Sequence, residues 1–107
     1  MTYRVILTEN AKANLREYYE RAAEHAPEAA AAWFNRFHES LQTLAVQPER
    51  CAFAPENSLF EEEIRQFQFG KRIGTFRVLF SIVDKEVRVL HIRRAEMGDA
   101  THDDIKG

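Results

Sequence analysis

The sequence predicts an α+β fold of order β-α-α-β-β-β, a helix hairpin packed on one face of a mainly antiparallel four-stranded sheet. Three observations carry that reading. Apolar residues alternate at period two near the start and again from residue 64 onward. Between those stretches they recur at helical spacing in two runs separated by one proline. The links between the late strands are short enough for hairpin turns. At 107 residues, with 45% hydrophobic residues and twelve aromatics (Phe 8, Tyr 3, Trp 1), the chain fits one domain over residues 1–107 around one core.

In the first strand Tyr3, Val5 and Leu7 alternate with Arg4, Ile6 and Thr8. Thr8 is placed to cap the following helix with its hydroxyl, and Glu9 then sits in the positive first turn. Ala11, Leu15, Tyr18 and Ala22 form the apolar stripe of a helix running to about His25, with Lys12, Arg16, Glu17, Glu20 and Glu24 on its other face. Pro27 suits the first turn of a second helix, although Ala26 is a poor cap before it. Ala30, Trp33, Phe34, Phe37, Leu41, Leu44 and Ala45 make one broad stripe, ended by Gln47 and Pro48. So short a link implies an antiparallel helix pair. Residues 49–60, with Pro55 and Asn57, have no period and read as a loop.

Strands are expected at residues 64–69, 75–83 and 87–93, joined by turns at 70–74 and 84–86. In the middle strand Phe76, Val78, Phe80 and Ile82 face one way and Arg77, Leu79, Ser81 and Val83 the other. Two helices cover only one face of a sheet, so Leu79 and Val83 are left to be covered by something else. A partner segment offering apolar anchors and carboxylates would fit this half-apolar, half-basic face. The competing expectation is that the loop around Phe53 and Leu59 folds over it.

Charge is divided along the chain. Residues 65–94 hold eight basic and two acidic side chains, residues 1–64 hold six against eleven, and the tail holds one against four. A basic sheet in a molecule of net charge −2 points to an acidic or polyanionic partner more than to a neutral substrate. General nucleic-acid binding fits less well, because the net charge is negative and the basic stripe lacks interleaved exposed aromatics. No stretch has the apolar length of a membrane span or signal peptide, so a soluble, cytoplasmic protein is expected. Cys51 is alone, which rules out an internal disulfide, and no cysteine or histidine cluster suggests a metal or other cofactor. His91, the only histidine in the basic region, is the ready candidate for a base near neutral pH, although a lone histidine on an alternating strand is more often packed in structure.

Taken together, these residues resemble the RelE/ParE superfamily of toxins from type II toxin–antitoxin modules, often labelled plasmid stabilisation proteins. The resemblance runs through Tyr3-Arg-Val-Ile-Leu-Thr8, Pro27-Glu-Ala-Ala-Ala-Ala-Trp33 and Leu44-Ala-Val-Gln-Pro-Glu-Arg50. It continues in Glu63-Ile-Arg-Gln-Phe67, Phe76-Arg-Val-Leu-Phe-Ser-Ile82 and Val87-Arg-Val-Leu-His-Ile-Arg93. It implies a small toxin that a cognate antitoxin binds and neutralises, with either mRNA on the ribosome (RelE-like) or DNA gyrase (ParE-like) as its target. If an enzyme, it would be a metal-independent, ribosome-dependent mRNA endoribonuclease.

For that chemistry the resemblance assigns Arg77 as a phosphate clamp and Arg65 as a second cation, with His91 the candidate base. Arg65 has the alternative of pairing with the run Glu61, Glu62, Glu63, and Glu63 the alternatives of base or solvated carboxylate. Arg65, Arg77, Leu79, Arg93 and Arg94 are the expected target- or antitoxin-binding set. Departures from the nuclease pattern are Gln66 and Gln68 where lysines are usual, and Ala95, Glu96, Met97, Gly98 and Asp99 where a basic residue and a tyrosine are. The ParE-like reading needs only a docking surface and tolerates these losses. A catalytically silent homologue that only binds an antitoxin-like repressor is the second reading.

Overall fold

Alternation and helical spacing become a four-stranded sheet of order β1-β4-β3-β2 in the computed structural model, which describes residues 2–70 and 74–106. The strands are β1 (Arg4–Leu7), β2 (Arg65–Phe69), β3 (Phe76–Val83) and β4 (Glu86–Arg94). β1 runs parallel to β4 and the other two pairings are antiparallel. Helices α1 (Glu9–His25) and α2 (Pro27–Gln42) form the hairpin, and a third, α3 (His102–Lys106), closes the described chain.

The expected start signals act as read. The Thr8 hydroxyl accepts from the Ala11 amide at 3.2 Å, and Pro27 opens α2 after an Ala26 that makes no side-chain cap. The stripe of α2 ends in a 3-10 turn, Thr43–Ala45, whose Ala45 carbonyl accepts from the Tyr3 amide at 2.8 Å and so ties the hairpin's exit to the first strand. Between β3 and β4, Asp84 turns the chain at φ 55°, a left-handed conformation that Asp tolerates better than most residues. The turn expected at 70–74 falls partly on residues 71–73, which lie outside the described residues.

Phe37 sits at the centre of the helix-facing core, its ring 4.4 Å from Phe69 and 5.3 Å from Trp33 between centroids. Phe76, Val78 and Phe80 of β3 and Val87, Val89 and Ile92 of β4 complete that side. The mixture of odd and even numbers in β4 comes from a bulge: Phe80 pairs with Val89 and Leu79 with His91, which leaves Leu90 as an extra residue. Ile92 thereby returns to the helix side, and Leu90, His91 and Arg93 stay on the opposite face with Arg77 and Leu79.

That opposite face is not open, which corrects the expectation of an uncovered basic surface. Ala54, Ile64, Leu79, Leu90, Ala100 and Ile105 form a second core with Phe60 packed against it, and Leu79 is fully buried. The covering comes from residues 52–64 together with the C-terminal residues 99–106. This is the competing expectation, the loop around Phe53 and Leu59 folding over the face, with Ala54, Phe60 and Ile64 as its inward residues while Phe53 and Leu59 themselves remain about half exposed. The apolar anchors and carboxylates that suit this face are therefore supplied from within the chain.

Candidate functional site

Under that cover lies a polar cluster built on Arg77, which projects from β3 on the side away from the α-hairpin. Its Nη2 donates to Glu56 Oε1 at 2.6 Å, its Nη1 to Glu56 Oε2 at 2.9 Å and to the Gly98 carbonyl at 3.2 Å, and its Nε to Gln66 Oε1 at 3.0 Å. The Ala100 amide adds a 2.7 Å bond to Glu56 Oε2, so one carboxylate joins the 3-10 turn Pro55–Leu59, the central strand and the C-terminal segment. Glu56 is 2% exposed and Arg77 6%. Planar two-point pairing is the geometry a guanidinium makes best, and here an internal carboxylate holds the place a phosphate would need. Burial works to raise the Glu56 pKa, and it is outweighed by the Arg77 hydrogen bonds and the Ala100 amide, which hold it below the usual carboxylate range.

The other candidate residues are dispersed. Arg65 opens β2 opposite Phe80, on the α-hairpin side of the sheet. It donates to the carbonyls of Cys51 at 2.7 Å and Glu49 at 3.1 Å and lies 4.4 Å from the centre of the Phe53 ring. Glu63 is 3.9 Å away, so the expected pairing with the acidic run is present but long. Arg93 is buried beside Asp104 at 3.1 Å. Arg94 is the accessible member of the set, 41% exposed along its side chain, paired with Glu96 at 2.7 Å and 5.9 Å from the Phe76 ring centre.

His91 is buried, with Nδ1 3.4 Å from the Asn10 amide nitrogen. Burial pushes its pKa down and Arg93 acts the same way, against the opposing pull of Asp104 and Glu56. Folding thus favours its neutral form. Arg65, Arg77 and His91 do not converge on one point: the two arginines leave opposite faces of the sheet, and Arg77 is already engaged.

Acid sensitivity follows from the same groups. Unfolding restores His91 to about 6.5 and Glu56 and Asp104 to about 4, so the unfolded chain binds more protons. The stability these groups contribute is complete above the ordinary histidine pKa. It is lost as pH falls, first through His91 and then through the lowered carboxylates. Urea midpoints should be level from about pH 8 to 7 and decline below about 6.5. In a His91→Gln variant the decline should begin only in the carboxylate range; an unchanged onset would exclude His91 as its source.

A concavity of about 820 Å³ lies on the other side of the molecule, between the α-hairpin and the far end of the sheet. Tyr18, Ala22, Trp33 and Phe76 line it with two arginines, Arg21 and Arg94, and with Glu24 and His25 at its edge on α1. The partners of those arginines, Glu17 and Glu96, are more than half exposed. Such surface pairs contribute about 0–1 kcal/mol, so an incoming carboxylate can replace them. No group of three or more His, Cys, Asp and Glu gathers as a metal site, and no helix is long and apolar enough to cross a membrane, among the described residues.

A family model described as the ParE toxin of the type II toxin-antitoxin system parDE matches residues 5–98. The chain belongs to the ParE toxin family. Among solved structures, the chain is similar to a chain of the chromosomal ParDE toxin–antitoxin system from P. aeruginosa, at TM-score 0.69 and 23% identity over 87% of this chain and 96% of that one, a likeness of fold. No curated protein matches. In this ParE-family chain the groups that sequence reasoning missed are Glu56, Asn10, Asn14 and Asp104. Asn10 Nδ2 donates to the Leu90 carbonyl at 2.8 Å and Asn14 Oδ1 accepts from the Ile92 amide at 3.0 Å, which satisfies the stretch of β4 beyond its pairing with β1.

Proposed function

We propose that this chain is the toxin of a type II toxin–antitoxin module that acts by docking on DNA gyrase, and that its cognate antitoxin neutralises it. The observation that carries the choice of target is the engagement of Arg77 by Glu56, Gln66 and Gly98, with Arg65 on the other side of the sheet. RNA cleavage by 2′-hydroxyl attack needs a base, a cation at the phosphate and an acid within reach of one bond. A docking toxin needs only a shaped surface. Family membership supports the toxin assignment, and the lack of a convergent catalytic set among the described residues favours gyrase over mRNA.

The groove between Tyr18, Trp33 and Phe76 is the surface we assign to the antitoxin. Its occupant is an acidic, amphipathic segment, because an apolar floor beside Arg21 and Arg94 matches apolar anchors flanked by carboxylates. Induced expression in bacteria should arrest growth, and co-expression of the antitoxin from the adjacent small gene should restore it. Purified protein should inhibit gyrase supercoiling and leave ribosome-bound mRNA intact. Cleaved mRNA with normal supercoiling would overturn the target; no arrest and no complex would overturn the toxin reading itself.

A further inference from the structure

Residues 99–106 lie beyond the matched family span and behave in the structure as a bound peptide. Of these eight residues only Ala100 and Ile105 are buried. The remaining ties are polar: the Ala100 amide to Glu56 at 2.7 Å, Asp104 to Arg93 at 3.1 Å, and the Asn10 amide nitrogen to the carbonyls of Asp104 at 2.8 Å and Ile105 at 3.2 Å. Lys106 pairs with Glu62, and His102 stacks on Phe60.

The segment also carries its own shape. The Thr101 hydroxyl accepts from the Asp104 amide at 3.1 Å, and the Asp104 carboxylate accepts from the Thr101 amide at 2.9 Å, a reciprocal cap that forms one helical turn from local bonds. Beneath it lie Leu79 and Leu90, with Arg93 beside them. Few apolar anchors and many exposed polar ties characterise elements that open without global unfolding.

We propose that residues 99–106 are a displaceable strap and that the face beneath them is a second peptide-docking groove, held closed in the free protein. Its ligand is an acidic segment that presents a carboxylate next to an aliphatic side chain on one helical turn, as Asp104 and Ile105 do. Leu79 and Leu90 receive the aliphatic group, Arg93 the carboxylate, and Asn10 the turn's carbonyls. This groove is distinct from the one between Tyr18 and Phe76 and does not depend on the target of the toxin.

The test uses the full chain and a labelled synthetic peptide of residues 99–106. A tethered strap competes at an effective concentration of about millimolar, so wild-type protein should bind the peptide weakly. An Ile105→Asp chain, whose own strap is loosened, should bind it at least about tenfold more tightly, whereas a peptide carrying the same substitution should not bind. Equal binding by wild type and a folded Ile105→Asp chain overturns the proposal. Hydrogen exchange on the wild type decides independently should that variant not fold. Strap amides exchanging faster than those of β3 and β4 support displacement, and exchange in step with those strands overturns it.

Discussion

Glu56→Ala should lower the unfolding free energy by about 3–5 kcal/mol, the usual effect of removing one partner of a buried ion pair. The guanidinium of Arg77 is buried, and without Glu56 its acceptors among the described residues are Gln66 and the Gly98 carbonyl. One further bond fails with it: the Ala100 amide loses its acceptor, and the C-terminal segment thereby loses this tie to the 3-10 turn. Glu56→Gln, which keeps an acceptor oxygen but loses the charge, should be intermediate. A combined Glu56→Leu, Arg77→Met chain should recover most of the loss, since an apolar replacement of both partners leaves no unpaired charge. Urea titration of the four chains checks this; a single Glu56→Ala effect below about 1 kcal/mol would mean that water reaches the guanidinium freely.

Leu79→Ala is the second large expected effect, a destabilisation of about 2–5 kcal/mol, as for other buried leucines. Leu79 is fully buried on the floor of the second core, on a central strand paired on both sides, so the surroundings have little freedom to collapse into the space left behind. The consequence for function separates two models. Were Leu79 an antitoxin anchor, its truncation would weaken the complex at unchanged stability. Its burial predicts the reverse: a lower unfolding midpoint, with antitoxin affinity of the folded protein within about twofold of wild type. Isothermal titration beside a denaturant curve distinguishes them.

Legibility of this molecule in its sequence follows the range of the signals. Thr8, Pro27 and the alternating runs act over a few residues and mark the start of α1, the start of α2 and the strands within a residue or two. The closed second face depends on contacts across 21 and 44 positions, Glu56 to Arg77 and Glu56 to Ala100. An acid between Pro55 and Asn57 reads locally as a polar turn, and nothing near it announces a buried arginine as its partner. The spacing of Thr101 and Asp104 does carry a capping signal, but α3 is a single short turn with too few residues to show an apolar period. Arg94 is accessible, whereas Arg93, one residue earlier, falls on the covered face.

The extra residue at Leu90 has an evolutionary corollary. Because the bulge sets two consecutive residues, Leu90 and His91, on the same face, losing either one would leave a regular ladder, with Ile92 and Arg94 still toward the helices and Arg93 still on the covered face. Descendants of this chain can therefore shorten β4 by one residue at this point and keep its inward side chains, at the cost of one side chain from the second core.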